Sequence, residues 1–290
     1  MKKLKTTFFL FAILSYGFLT AMPNICVPTL GGMQFWDDVQ ISNGHRIQQH
    51  VWTGHYRLLN ANNIRLAWGR LDHCRKIIPT DHNTEKPLIL LIHGMGRSRY
   101  SMTSLQHKLQ QEGYTAETFA YSSLLNSVDH FSSKLKNVID LRPEKKIYCI
   151  THSLGGIILR HLDQTVPSSK IKGAITLAAP HQGSVVVDSL AQYNLHFLLG
   201  PTGSKLQSNQ FLLQNTPLSF PLHTVAGVPK DKALLPFGLF LDGESDGIVL
   251  ERNTHHPYSS SHTKVHASHT FIMNHPKVIE KIQQIIDSIK

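Results

Sequence analysis

Ile147-Tyr148-Cys149-Ile150-Thr151-His152-Ser153-Leu154-Gly155-Gly156 is the stretch on which the fold turns. Its first four residues form a short apolar run of the kind that makes a strand buried on both faces of a parallel sheet. Beyond the two glycines, Ile157, Ile158, Leu162 and Val166 recur at helical spacing over residues 154–166. A strand that reverses sharply into a helix needs little bulk at the reversal, and Gly155 meets that need. The turn would present the Ser153 oxygen at the carboxyl end of the sheet and at a helix N-terminus, where free N–H groups favour developing negative charge. The plainer alternative is that Ser153 only caps the helix. The buried strand before it and the amphipathic helix after it favour a turn that exposes a nucleophile.

Working outward, strand and helix patterns alternate. Strands are expected at 88–92, 115–121, 146–150, 171–178 and 222–227. Helices are expected at 101–112, 128–141, 154–166 and 276–289, the last with Pro276 at its first position. This order defines the α/β class, a mostly parallel sheet flanked by helices. Upstream, 51–59 and 64–68 flank the turn Asn60-Ala61-Asn62-Asn63 and read as a hairpin. A linker with Pro79 and Pro87 follows. Residues 184–199 form an apolar helix candidate. Phe197, Leu198, Leu199, Phe211, Leu212, Leu213, Phe237 and Phe240 make 184–240 a candidate acyl pocket or lid, although core packing would use such residues equally. No second core is evident, so residues 22–290 read as one domain.

Lys2, Lys3 and Lys5 precede the apolar run 8–21. That run is shorter than the roughly 20 residues a spanning helix needs. It reads as a secretory signal ending at Ala21, with an exported (periplasmic or secreted) mature chain. The alternative is an uncleaved segment that anchors the chain to a membrane. With 29 Lys and Arg against 19 Asp and Glu, the formal charge is +10, which suits peripheral contact with an anionic membrane or simple solubility. No helix-turn-helix, RNA-binding or zinc-finger pattern accompanies it, so nucleic acid is not an expected partner. A hydrophobic share of 41% rules out a disordered chain. Cys149 reads as a core residue, whereas Cys26 and Cys74 are candidates for one disulfide in an oxidising compartment.

The strand at 88–92 runs into His93-Gly94-Met95-Gly96, whose glycines let backbone approach a ligand. Gly-Met-Gly-Arg lacks the Gly-Lys-Ser/Thr of a phosphate loop, and no full Gly-x-Gly-x-x-Gly is present. An oxyanion hole here would use the N–H groups of Met95 and Leu154. A nucleophilic Ser153 then requires an acid and a histidine further along the chain. Asp246, in Ser245-Asp246-Gly247, is the leading acid and Asp242 the reserve, against the bland reading of a turn aspartate. Among His255, His256, His262, His266, His269 and His275, His269 sits between a β-like segment at 264–266 and the terminal helix, where a base would hang over the sheet. His266 is its rival. His262, His266 and His269 also make a conceivable metal set, but no cysteine or helical spacing supports it.

Four blocks together resemble the bacterial lipase and esterase branch of the α/β-hydrolases: His93-Gly94-Met95-Gly96, Thr151-His152-Ser153-Leu154-Gly155-Gly156, Leu177-Ala178-Ala179-Pro180-His181-Gln182-Gly183-Ser184 and Ser245-Asp246-Gly247. The likeness runs from about Pro87 to the C-terminus and leaves the block up to about Cys74 unexplained. It departs at Thr151, where relatives commonly carry Gly or Ala, and a β-branched residue there asks for a slightly wider turn. The resemblance implies hydrolysis of carboxylic esters of hydrophobic acyl chains by a Ser153–His269–Asp246 triad through an acyl-enzyme, with an acyl ester or lipid as substrate and neither metal nor organic cofactor. An acyltransferase using the same triad, or a silent α/β-hydrolase fold that only binds, are the alternatives.

Overall fold

The computed structural model describes residues 34–80, 86–183, 215–231 and 241–288. The expected leader at 1–21, Cys26 and most of 184–240 lie outside these residues. The described chain forms two sheets. The first is antiparallel: β1 (Trp36–Ser42), β2 (His45–His50), β3 (Tyr56–Leu59) and β4 (Arg65–Gly69), followed by the short helix α1 (Leu71–Ile77). The second holds β5 (Leu88–Ile92), β6 (Thr115–Phe119), β7 (Ile147–His152), β8 (Ile171–Leu177), β9 (Leu222–Gly227) and β10 (Ser261–Val265) in the order β10-β9-β8-β7-β5-β6. Every pair in it is parallel. The helices are α2 (Thr103–Gln111), α3 (Val128–Leu141), α4 (Leu154–Thr165), the one-turn α5 (Glu251–Thr254) and α6 (Pro276–Ser288).

Alternation along β5 shows why the sheet is covered on both sides. Leu88, Leu90 and Ile92 pack with Phe131, Leu135 and Val138 of α3 and Ile157, Ile158 and Leu162 of α4. Ile89 and Leu91 face the other way, against Leu105 and Leu109 of α2 and Val278, Ile282 and Ile286 of α6. Burying both faces is what lets a strand be apolar throughout.

Two expectations upstream need correction. The hairpin does not begin at Val51: residues 51–54 form the turn between β2 and β3, closed by Gly54 N–H to the His50 carbonyl (2.9 Å), and the strand starts at Tyr56. The stretch between β4 and the linker prolines, for which no helix is expected, forms α1, whose Cys74 is buried against Ile47, Leu58 and Ala67. Burial pushes the Cys74 thiol up to about 11.

The antiparallel sheet is fastened to the main one by buried polar groups. Asp38 accepts from Arg46 (2.7 Å), Gln48 (2.8 Å) and the Ala120 N–H (2.8 Å), just past the end of β6. Asp37 accepts from the Ser122 N–H (2.7 Å) and meets His130 of α3 (2.7 Å). Arg142, paired with Glu144, donates to the Ile41 carbonyl at 2.8 Å. Breaking a buried pair leaves a charge uncompensated. Asp38→Ala is therefore expected to lower stability by about 3–5 kcal/mol in urea unfolding. Lys264→Ala, at the exposed pair with Glu244, should cost no more than about 1 kcal/mol.

Candidate active site

Ser153 stands between the last residue of β7 and the first of α4 with φ 51° and ψ −118°. A side-chain-bearing residue pays for such a backbone by roughly 1–3 kcal/mol, which the surroundings must supply. The Ser153 N–H is bonded to the Leu177 carbonyl (2.9 Å), and the Ser153 carbonyl accepts from Gly156 (3.0 Å). A Cβ on Gly155 would lie 2.8 and 2.9 Å from the carbonyl oxygens of Ile92 and His93. One on Gly156 would lie 2.6 Å from the Ala179 methyl. The two glycines thus let α4 pass directly over the end of β5 and against the segment after β8. Thr151 needs no wider turn. It lies inside β7, paired with Ile92 and Thr176, where a β-branched residue is at ease.

The 93–96 loop is held from several directions. His93 Nδ1 is 2.9 Å from the Gly94 carbonyl, its Nε2 accepts from the Tyr121 N–H (3.5 Å), and the Tyr121 hydroxyl donates to the His93 carbonyl (2.6 Å). The two rings stack with centroids 4.1 Å apart. Gly96 N–H donates to Ser123 Oγ (3.0 Å), and Gln34, at the start of the antiparallel sheet, donates to Ser123 Oγ (3.1 Å) and the Arg97 carbonyl (2.8 Å). Leu154 opens α4 and Met95 packs against the adjoining core. Among the described residues, none accepts from the N–H of Met95 or Leu154.

Asp246 and His269 come together across two loops. His269 Nδ1 lies 2.7 Å from Asp246 Oδ2, and the His269 N–H donates to the Asp246 carbonyl (3.0 Å). The other carboxylate oxygen accepts from the N–H groups of Ile248 (3.0 Å) and Val249 (2.8 Å). Asp246 is 1% and His269 7% exposed. Gly227 ends β9 where a Cβ would meet Asp246 Cβ at 2.9 Å and the Ala267 carbonyl at 2.4 Å, so its small size lets the two loops converge. Asp242 is exposed. His266, also exposed, bonds the Val228 carbonyl (3.0 Å), and His262 bonds Glu251 and Thr224 (2.9 and 2.7 Å). The three histidines weighed as a metal set therefore have three separate sets of partners.

Two residues of the quoted blocks have surroundings that local sequence does not reveal. His152 is buried beside His269, with ring centroids 4.8 Å apart. His181 is buried against Thr176 (2.9 Å), while Arg160 donates to its carbonyl (2.8 Å). Burial lowers the pKa of both rings well below 6.5, and that of His93 to about 4.

The main sheet, the sharp turn at Ser153 and the loop after β5 together make this an α/β-hydrolase fold. The sequence model of the palmitoyl protein thioesterase family matches residues 88–216. A lipase of Bacillus licheniformis in its mature form (BlEst2) superposes with a TM-score of 0.59 at 23% identity, over 72% of this chain and 95% of the lipase. The metagenomic carboxyl esterase MGS0156 gives 0.56 at 14%, over 73% of this chain and 79% of its own. The product of the Listeria innocua gene lin2722 gives 0.50 at 17%, over 71% and 96%. No curated protein matches the chain.

Two expectations follow from this geometry. A Cβ at Gly94 would lie 2.7 Å from His152 Nδ1 and 3.1 Å from Ser153 Cβ, so Gly94→Ala should displace the loop. Any turnover of an activated ester by the chain should drop at least tenfold while the near-ultraviolet circular dichroism stays native. The second concerns acid. His93, His152 and His181 are held neutral in the folded protein, whereas an unfolded histidine protonates near 6.5. The unfolded state thus binds the extra protons, and stability is lost as pH falls from about 6.5 toward about 4. Urea midpoints measured from pH 7.5 to 4.5 should decline steadily over that window.

Proposed function

We propose that the chain is a serine hydrolase that cleaves carboxylic esters of hydrophobic acyl chains. The observation that carries this reading is the buried Asp246–His269 contact of 2.7 Å, formed by a histidine that follows the nucleophile turn and the acid in chain order. With its Nδ1 proton donated to Asp246, the His269 ring keeps Nε2 as the basic nitrogen. Ser153 Oγ attacks the acyl carbonyl as His269 takes its proton, and Asp246 stabilises the imidazolium that forms. The N–H groups of Met95 and Leu154 hold the oxyanion. His269 then protonates the leaving group, and water attacks the acyl-enzyme by the same steps in reverse.

The preference for hydrophobic acyl groups rests on the Leu and Phe content of 184–240. A thioester is a second acyl donor for the same residues, supported by the family model that spans the 93–96 loop and the Ser153 turn. Labelling with a fluorophosphonate, followed by ester and thioester series of increasing chain length, tests the reading. Ser153→Ala should abolish labelling, and His269→Ala should reduce kcat by about 10⁴ or more, while His266→Ala stays near wild type. Turnover should rise with acyl length. Unchanged labelling of Ser153→Ala, or loss of activity in His266→Ala with His269→Ala intact, would overturn the assignment.

A further inference from the structure

His152, the last residue of β7, immediately precedes the nucleophile, and the proposed mechanism gives it no part. Its Nε2 lies 2.9 Å from the carbonyl oxygen of His269. That acceptor requires Nε2 to carry the ring proton and leaves Nδ1 with a lone pair. Nδ1 is fully buried and has no donor among the described residues. A methyl on Gly94 would come within 2.7 Å of it. With its exchangeable nitrogens sealed from solvent, the ring is not a second base. What it holds is the main chain of the base itself. One residue on, Arg97 Nη1 donates to the Thr270 carbonyl at 3.0 Å. Two consecutive carbonyls of the base loop are therefore gripped, one by the residue before the nucleophile and one by the residue after the 93–96 loop.

We propose that His152 is a positioning residue: its rigid ring sets the distance and angle between Ser153 and His269 by tying the main chain of one to the main chain of the other. The proposal rests on Ser153 and His269 being nucleophile and base. Displacements of about 1 Å between reacting groups cost on the order of a hundredfold in rate, and a strut that touches no substrate acts on kcat, not KM. An imidazole suits the place because it is a donor that stays uncharged. Burial and the neighbouring His269 both oppose a charge on it. A lysine or arginine would set a fixed cation beside the imidazolium that forms during turnover.

The test compares three substitutions with a short-chain activated ester. In His152→Gln the amide nitrogen reaches the place of Nε2, and kcat should stay within about threefold of wild type. In His152→Asn the amide stops short of the His269 carbonyl, and kcat should fall about ten- to a hundredfold with KM within about twofold. His152→Leu fills the volume without a donor and should repeat the Asn result, which guards against one variant failing to fold. Fluorophosphonate should still label the Asn and Leu variants completely, only more slowly. Equal losses in all three, wild-type rates in all three, or a change confined to KM would overturn the positioning role. Wild-type activity in Ser153→Ala or His269→Ala would instead overturn the reading of the site on which the role depends.

Discussion

With Ile92 and His93 carbonyl oxygens under 3 Å from where a Gly155 Cβ would lie, and the Ala179 methyl at 2.6 Å from that of Gly156, α4 can occupy its place only if positions 155 and 156 of its first turn carry no side chains. That contact dictates much of what surrounds it. It brings the helix N-terminus over the end of β5, which sets the N–H of Leu154 beside the loop that carries the N–H of Met95. It also forces Ser153 to φ 51°, because the chain leaves β7 and enters α4 within a single residue. A serine held in that conformation cannot swing away from the sheet end without unmaking the turn, so the direction of its Cα–Cβ bond is a property of the fold.

The strain needs a rigid frame, and the antiparallel sheet supplies part of it. Asp37 and Asp38 bond the backbone N–H groups of Ser122 and Ala120, in the segment whose Tyr121 stacks on His93 and whose Ser123 accepts from Gly96. Gln34 closes the circuit on Arg97. The 93–96 loop is thus braced through Tyr121 and Ser123 by a sheet that contributes no reacting group, which gives a physical reason for a block that the sequence resemblance leaves unexplained. Buried ion pairs contribute little net stability beside apolar packing, but hydrogen bonds of fixed direction suit the task of holding one sheet in register on another.

Local sequence carried the central strands and helices because their signals are uniform. Leu88–Ile92 and Ile147–Tyr148–Cys149–Ile150 are apolar throughout, and 128–141 has helical spacing together with Ser127 as N-cap, which accepts from the His130 N–H. The strands β1 and β2 gave no such signal. Their buried positions include Asp37, Asp38, Arg46 and Gln48, polar residues whose burial makes sense only once their partners on neighbouring strands, on the segment after β6 and on α3 are in place. The short α1 buries one residue, Cys74, too little for a periodicity. At the site, the turn at Ser153 and the loop at 93–96 are local motifs and could be read. Asp246 already leads Asp242 as candidate acid in the sequence, but its contact with His269, and the partner of His152, depend on loops brought together from distant parts of the chain, which composition and spacing do not encode.

The interior histidines share one chemical logic. A neutral imidazole offers one donor and one acceptor on a rigid ring, and it costs far less to bury than a charged group. His93 uses both, donating toward the Gly94 carbonyl and accepting from Tyr121. His152 uses its donor on His269, and His181 meets the Thr176 hydroxyl beneath the segment after β8. His93 and His152 thus fix backbone, and His181 a side chain, without adding a permanent charge to their surroundings. In the proposed mechanism that restraint matters, because the site would have to favour negative charge at the Met95 and Leu154 N–H groups and positive charge on His269 at the same moment. A fixed cation in place of His152 would oppose the second, and a carboxylate in place of His93 would oppose the first. Neutral rings leave the Asp246 carboxylate, anchored by two backbone N–H groups, as the charged group in direct contact with the His269 ring.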